Sequence, residues 1–122
     1  MSTLRVNTLQ DATGSNQPAM VGAAKAWVNF DGTGTVAIRQ AFNVSSITDE
    51  ATGKYTVNFT NEMVDANYST LCNGRFTAGG SVWFAGLIDD SNYQGVSGVA
   101  VNSLTSSGSS VDALFFHVAV FR

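Results

Sequence analysis

Apolar residues recur at every second position through most of the chain, and the runs they form end at Gly, Asn, Asp and Ser, which marks strands and turns rather than helices. In Tyr55-Thr56-Val57-Asn58-Phe59-Thr60, the side chains of Tyr55, Val57 and Phe59 share one face and those of Thr56, Asn58 and Thr60 the other. This predicts a half-buried strand with a wet side. Ala24 to Phe30 alternates similarly, Ala24, Ala26, Val28 and Phe30 lying opposite Lys25, Trp27 and Asn29. Asp31-Gly32-Thr33-Gly34 links that strand to Thr35–Ile38, and Asp49-Glu50-Ala51-Thr52-Gly53 links Phe42–Ile47 to the Tyr55 strand; in both turns a glycine supplies the positive φ of a tight hairpin. Further turn signals separate Tyr68–Cys72, Val82–Ile88, Val96–Leu104 and Val111–Phe121. The set amounts to about eight strands, the pattern of an all-β, antiparallel β-sandwich or jelly-roll-like fold.

Two segments depart from this pattern. Gln10 to Ala23, which contains the only proline, Pro18, is polar, small and without period, and reads as a linker. It divides the chain into an N-terminal arm and linker, residues 1–23, and a sandwich domain, residues 24–122. The arm alternates over Leu4, Val6 and Leu9 and can fold back on its own domain or pair with a neighbouring subunit. The C-terminal run Val111 to Phe121 is apolar on both faces after Asp112, which requires either a central strand under two layers or a sheet packed on another subunit. Under the second alternative, Phe116, Val118 and Val120 join Leu4, Val6 and Leu9 as candidate interface residues.

Composition narrows the function. The 122 residues suffice for a two-layer core without staples, and the one cysteine, Cys72, allows neither an intrachain disulfide nor a cysteine zinc cage. Charged residues make up 12% of the chain, so small neutral polar side chains must cover the surface. The net charge is -3 and the six Lys and Arg are scattered, which leaves no electropositive stripe for nucleic acid. The Met1–Asn7 stretch lacks the features of a secretory signal and no apolar run approaches membrane-spanning length, so synthesis in the cytoplasm without membrane insertion is expected.

A search for chemistry yields no catalytic, cofactor or metal residues. His117, the only histidine, lies between Phe116 and Val118 and is expected to be a core or interface residue rather than a catalytic base. Gly32-Thr33-Gly34 leads into a strand, where phosphate binding would need a helix. Asp49 with Glu50 and Asp89 with Asp90 are acid pairs in loops, but adjacent acids diverge and serve as solvated turn formers. Glycan-binding modules stack flat rings on sugars, which makes Trp83, beside Gly79-Gly80, and Tyr93, beside the Asp89–Asn92 turn, candidate ligand residues together with Asp89 and Asp90. Trp27, sharing a face with Lys25 and Asn29, is a third aromatic of this kind.

The stretch from Ala24 through Asn29-Phe30-Asp31-Gly32-Thr33-Gly34-Thr35 to Arg39, then Phe42–Asp49 and Gly53–Thr60, resembles a module of tail-fibre and other virion proteins of tailed bacteriophages, including cyanophages. Leu4–Asp11 is similar to the stretch that often precedes this module, and Val118–Arg122 to its usual end. The resemblance is specific over the first half and at both ends, and vaguer from Arg75 to Ser110. It implies location in the virion and repeated-subunit assembly, most often as a homotrimer, with other phage proteins as partners, and it does not imply an enzyme; host surface glycans are the ligand that the candidate aromatic and loop residues would take. The chain departs from a typical fibre in the shortness of what precedes the module, which keeps open a second expectation, a capsid decoration or cement protein. A surface-polysaccharide depolymerase acting through Asp89 or Asp90 ranks last, because nothing around those acids would raise a pKa.

Overall fold

The computed structural model describes residues 2–3, 23–76, 84–88 and 94–122, and among these it contains eight strands and no helix. They are β1 (Ala24–Asp31), β2 (Ala37–Phe42), β3 (Val44–Ala51), β4 (Lys54–Phe59), β5 (Ser69–Arg75), β6 (Phe84–Leu87), β7 (Gly98–Leu104) and β8 (Phe115–Phe121). Two four-stranded antiparallel sheets face each other: a first sheet ordered β2-β1-β8-β5 and a second ordered β3-β4-β7-β6. The expected antiparallel sandwich is the fold.

Alternation decides what lies between the sheets. Ala26, Val28 and Phe30 of β1 and Phe116, Val118 and Val120 of β8 point inward against Tyr55, Val57 and Phe59 of β4 and Val99 and Val101 of β7. These are the two central strands of each sheet, and their inner faces are buried. Full burial of a Val or Phe side chain contributes about 1.5–3 kcal/mol. At one end Phe30, Tyr55 and Phe116 form an aromatic triangle with centroids 5.2, 5.2 and 5.8 Å apart. At the other end Phe59 and Tyr68 meet edge to face at 5.9 Å.

Both hairpin turns use glycine as the sequence predicts, with φ of 60° at Gly34 and 68° at Gly53. The predicted Phe42–Ile47 strand is instead divided at Asn43, where φ is 54° and the chain leaves the first sheet for the second. Asparagine tolerates this left-handed conformation, and here its side chain holds the corner. Its Nδ2 donates to the carbonyls of Lys25 (3.0 Å) and Asn61 (3.1 Å), while its Oδ1 accepts from the Asn61 N–H at 2.8 Å.

The C-terminal segment also differs from expectation. Pairing begins at Phe115, and Val111–Leu114 is a connector stitched to three other segments. Val111 N–H donates to Ser103 O, Gly53 N–H to Asp112 Oδ1 and Gly32 N–H to Ala113 O. β8 runs between β1 and β5, so Phe116, Val118 and Val120 are covered by the chain's own second sheet. Their assignment as interface residues is therefore corrected: they are core, and any contact made by this strand with another copy must use its opposite face. Leu4, Val6 and Leu9 lie outside the described residues.

Candidate functional site

The side chains that do not point into the core form two unlike surfaces. On β3 and β4 of the second sheet the outward groups are small and polar and bond to one another, whereas at its β6 edge Phe84 is 59% exposed, directly opposite Leu104 of β7. Asn58 Nδ2 donates to Ser46 Oγ (3.1 Å) and Thr48 Oγ1 (2.9 Å), and Thr56 Oγ1 donates to Glu50 Oε1 at 2.9 Å. This uses up the polar residues around one of the acid pairs, Asp49 with Glu50, in cross-strand bonds.

The outer face of the first sheet is organised in transverse rows, because residues directly opposite in an antiparallel ladder share a face. Phe42 pairs with Trp27, Trp27 with Ala119, and Ala119 with Leu71, which makes an apolar row across all four strands. Leu71 is 60% exposed and Phe42 43% exposed. Two residues along each strand, Gln40 pairs with Asn29, Asn29 with His117, and His117 with Asn73, which makes a second row composed of three amides and one imidazole. A groove of about 530 Å³ runs between these rows, bounded by Trp27, Asn29, Gln40, Leu71, Asn73 and His117.

A third row rims the groove. Arg39 lies with its guanidinium 4.1 Å from the centre of the Phe115 ring, Arg75 approaches the same ring at 5.5 Å, and His117 stacks beside it at 6.5 Å. Arg39 is fixed by donating to Asp31 Oδ2 at 2.9 Å and to Leu114 O at 2.7 Å. The Asp31 carboxyl is held below its usual range, first by the Thr33 hydroxyl and N–H that donate to it and then by the Arg39 charge, and burial opposes this only in part.

The polar row is unusual in what it lacks. Within the described residues, none of Gln40, Asn29, His117 and Asn73 is engaged in a side-chain hydrogen bond, and Asn29 Oδ1 is closed off from solvent without a partner. A buried polar atom left unpaired costs about 1–3 kcal/mol, and Thr70 Oγ1 on β5 is a second such atom among the described residues. His117 is exposed on this face rather than buried in the core, and among the described residues no hydroxyl or carboxylate bonds to it. Cys72 points to the inner side of β5, where burial pushes its thiol up to about 11 and leaves it unreactive at neutral pH.

Of the ligand residues expected from sequence, Trp83, Tyr93, Asp89 and Asp90 lie outside the described residues. Trp27 and Asn29 could be read from sequence as sharing a face. Gln40, Asn73 and His117 join them only through strand register, for which the sequence carries no local signal. No family model, no curated protein and no solved structure matches the chain.

Proposed function

We propose that this protein is a structural module of a tailed-bacteriophage virion, assembled as a homotrimer of tail-fibre type and displayed on the particle, with its loops available to host surface glycans. The resemblance of residues 24–60 and 118–122 to such modules supports the reading. The observation that supports it in the structure is the outer face of the first sheet, where an exposed apolar row ending in Leu71 runs beside a row of amides and an imidazole that make no side-chain hydrogen bond among the described residues, the kind of surface that another subunit covers. A surface poor in charge, over a core needing no disulfide or metal, suits a particle component. Weak glycan contacts on several copies would combine into higher avidity without any new contact.

The test is light scattering on the purified full chain, together with co-sedimentation on host cells and on empty capsids of the phage that encodes it. A mass three times the 12.8 kDa chain with cell binding is expected. A trimer retained only by capsids would make the protein a decoration protein instead, and a monomer that binds neither would overturn the reading.

A further inference from the structure

We infer that Asn73 is a site of spontaneous modification: in the folded chain its side-chain amide is displaced by the backbone nitrogen of Gly74, and the position becomes an aspartate or an isoaspartate. The inference stands apart from the assembly and ligand reading above.

Chemistry selects this dipeptide, and the fold selects it again. The group that displaces an asparagine amide is the next residue's backbone nitrogen, so a side chain on that residue stands in the way. Glycine, with no Cβ and the widest choice of φ and ψ, hinders the attack least. Asn73-Gly74 is the one Asn-Gly step in the sequence. Asn43 and Asn58 precede Val44 and Phe59, and their amides are also tied, to the Lys25 carbonyl at 3.0 Å and to Thr48 Oγ1 at 2.9 Å. Asn102 lies in the central strand β7 and precedes the buried Ser103. Asn73, by contrast, exposes its side chain, which makes no hydrogen bond among the described residues.

The reaction balances with water alone. Hydroxide takes the Gly74 N–H proton, the nitrogen bonds to Asn73 Cγ, and the bond from Cγ to the side-chain nitrogen breaks. Water protonates the departing nitrogen, which leaves as ammonia, and hydroxide is restored. A second water opens the cyclic imide that remains: breaking its bond at Cγ gives aspartate, and breaking its bond at the backbone carbonyl gives isoaspartate. Nothing is oxidised or reduced.

The ladder opposes the attack and so sets its rate. Asn73 pairs with His117 and Gly74 with Phe116, and the peptide between Asn73 and Gly74 must turn out of this pairing before its nitrogen reaches Cγ. β5 is the edge strand of the first sheet, held on one side only, and Asn73 lies close to its end at Arg75. Such edges open locally at less cost than central strands do. The product places a carboxylate beside His117, in a row otherwise built of amides and an imidazole, and isoaspartate also lengthens the backbone of β5.

The experiment ages wild type, Gly74→Ala and Asn73→Gln at low concentration, where any assembly is dissociated, at neutral and at mildly alkaline pH. Peptide mapping by mass spectrometry follows each asparagine, and wild type in urea gives the rate without the ladder. A Cβ at Gly74 meets nothing nearer than 3.6 Å, so Gly74→Ala folds, and circular dichroism verifies it. In folded wild type, conversion at Asn73 is expected to exceed that at Asn43, Asn58 and Asn102 at least about tenfold, and Gly74→Ala should slow it at least about tenfold. The rate should rise with pH, and isoaspartate should be among the products, which direct hydrolysis of the side chain does not give. Asn73→Gln should leave the position unchanged. Folded wild type that keeps Asn73 intact while the urea sample converts it would overturn the inference, and so would conversion equally fast in Gly74→Ala.

Discussion

The Tyr55 hydroxyl stands 2.9 Å from Asp112 Oδ1, joining two positions 57 residues apart at one end of the sandwich. The same carboxylate oxygen accepts from Gly53 N–H at 2.7 Å, and the hydroxyl also lies 3.1 Å from Gly32 O. One tyrosine and one aspartate thus tie the β1–β2 turn, the β3–β4 turn and the connector before β8 into a single clamp. Burial, and then the neighbouring Asp112 carboxylate, raise the Tyr55 phenol well above its ordinary range.

Tyr55→Phe keeps the ring in its aromatic triangle and removes only the hydroxyl. It is expected to lower stability by about 1.5–3 kcal/mol, the net contribution of a hydrogen bond to a charged group, while Asp112 Oδ1 keeps its bond from Gly53 N–H. Asp112→Ala should cost at least as much, since it also strips the partner from Gly53 N–H, whereas Asp112→Asn, which keeps an acceptor oxygen, should cost less. Urea unfolding at one fixed protein concentration checks the order, because assembly would shift the midpoint.

Gly53 and Gly34 both hold positive φ but differ in surroundings. A Cβ at Gly53 would come within 2.6 Å of the Val111 backbone, while at Gly34 nothing lies within 4 Å. Gly34→Ala is expected to cost roughly 1–2 kcal/mol from conformation alone. Gly53→Ala must add displacement of the Val111 connector and should lower the melting temperature distinctly more. Equal shifts in thermal melts of the two variants would show that the connector yields freely.

Core and outward positions of β8 should respond differently to truncation. Phe116→Ala empties a site stacked on Phe30 at 5.2 Å and is expected to cost about 3–5 kcal/mol, enough to unfold much of the protein. Truncating the exposed His117 next to it should change stability of the isolated chain by less than about 0.5 kcal/mol. Denaturation of the two variants at low concentration, where any assembly is dissociated, measures both.

Alkaline pH should weaken the fold in two stages. Burial raises the Cys72 thiol to about 11 and the Tyr68 phenol to about 12. In the unfolded chain these groups ionise near their ordinary values of about 8.5 and 10. Folding is therefore fully supported below those values, and the support declines as pH rises through about 11 for the thiol and about 12 for the phenol. Cys72→Ala should flatten the first decline in a series of melts, and Tyr68→Phe part of the second, to which the raised Tyr55 phenol also contributes. An unchanged slope in Cys72→Ala would mean that the thiol is accessible when folded, which a rapid reaction with a thiol reagent would confirm.

Alternation in the sequence determined the strands and their inner faces: Ala26, Val28 and Phe30 in β1 and Tyr55, Val57 and Phe59 in β4 are buried as their period of two requires. Turn chemistry likewise placed the glycines of positive φ, because only a residue without Cβ adopts that conformation at little cost. Which strands lie side by side was not legible, since period two says which residues share a face of one strand and nothing about the neighbour across the ladder. Hence the row from Gln40 through Asn29 and His117 to Asn73 exists only in the folded sheet, where four distant segments come into register. In β8 both faces are apolar enough to be buried, and the tertiary structure decided between them: insertion between β1 and β5 over the second sheet turns Phe116, Val118 and Val120 inward. At Asn43 the apolar pattern runs on without a break, and the change of sheet follows from a corner whose hydrogen bonds come from Lys25 and Asn61, residues that meet Asn43 only once the chain has folded.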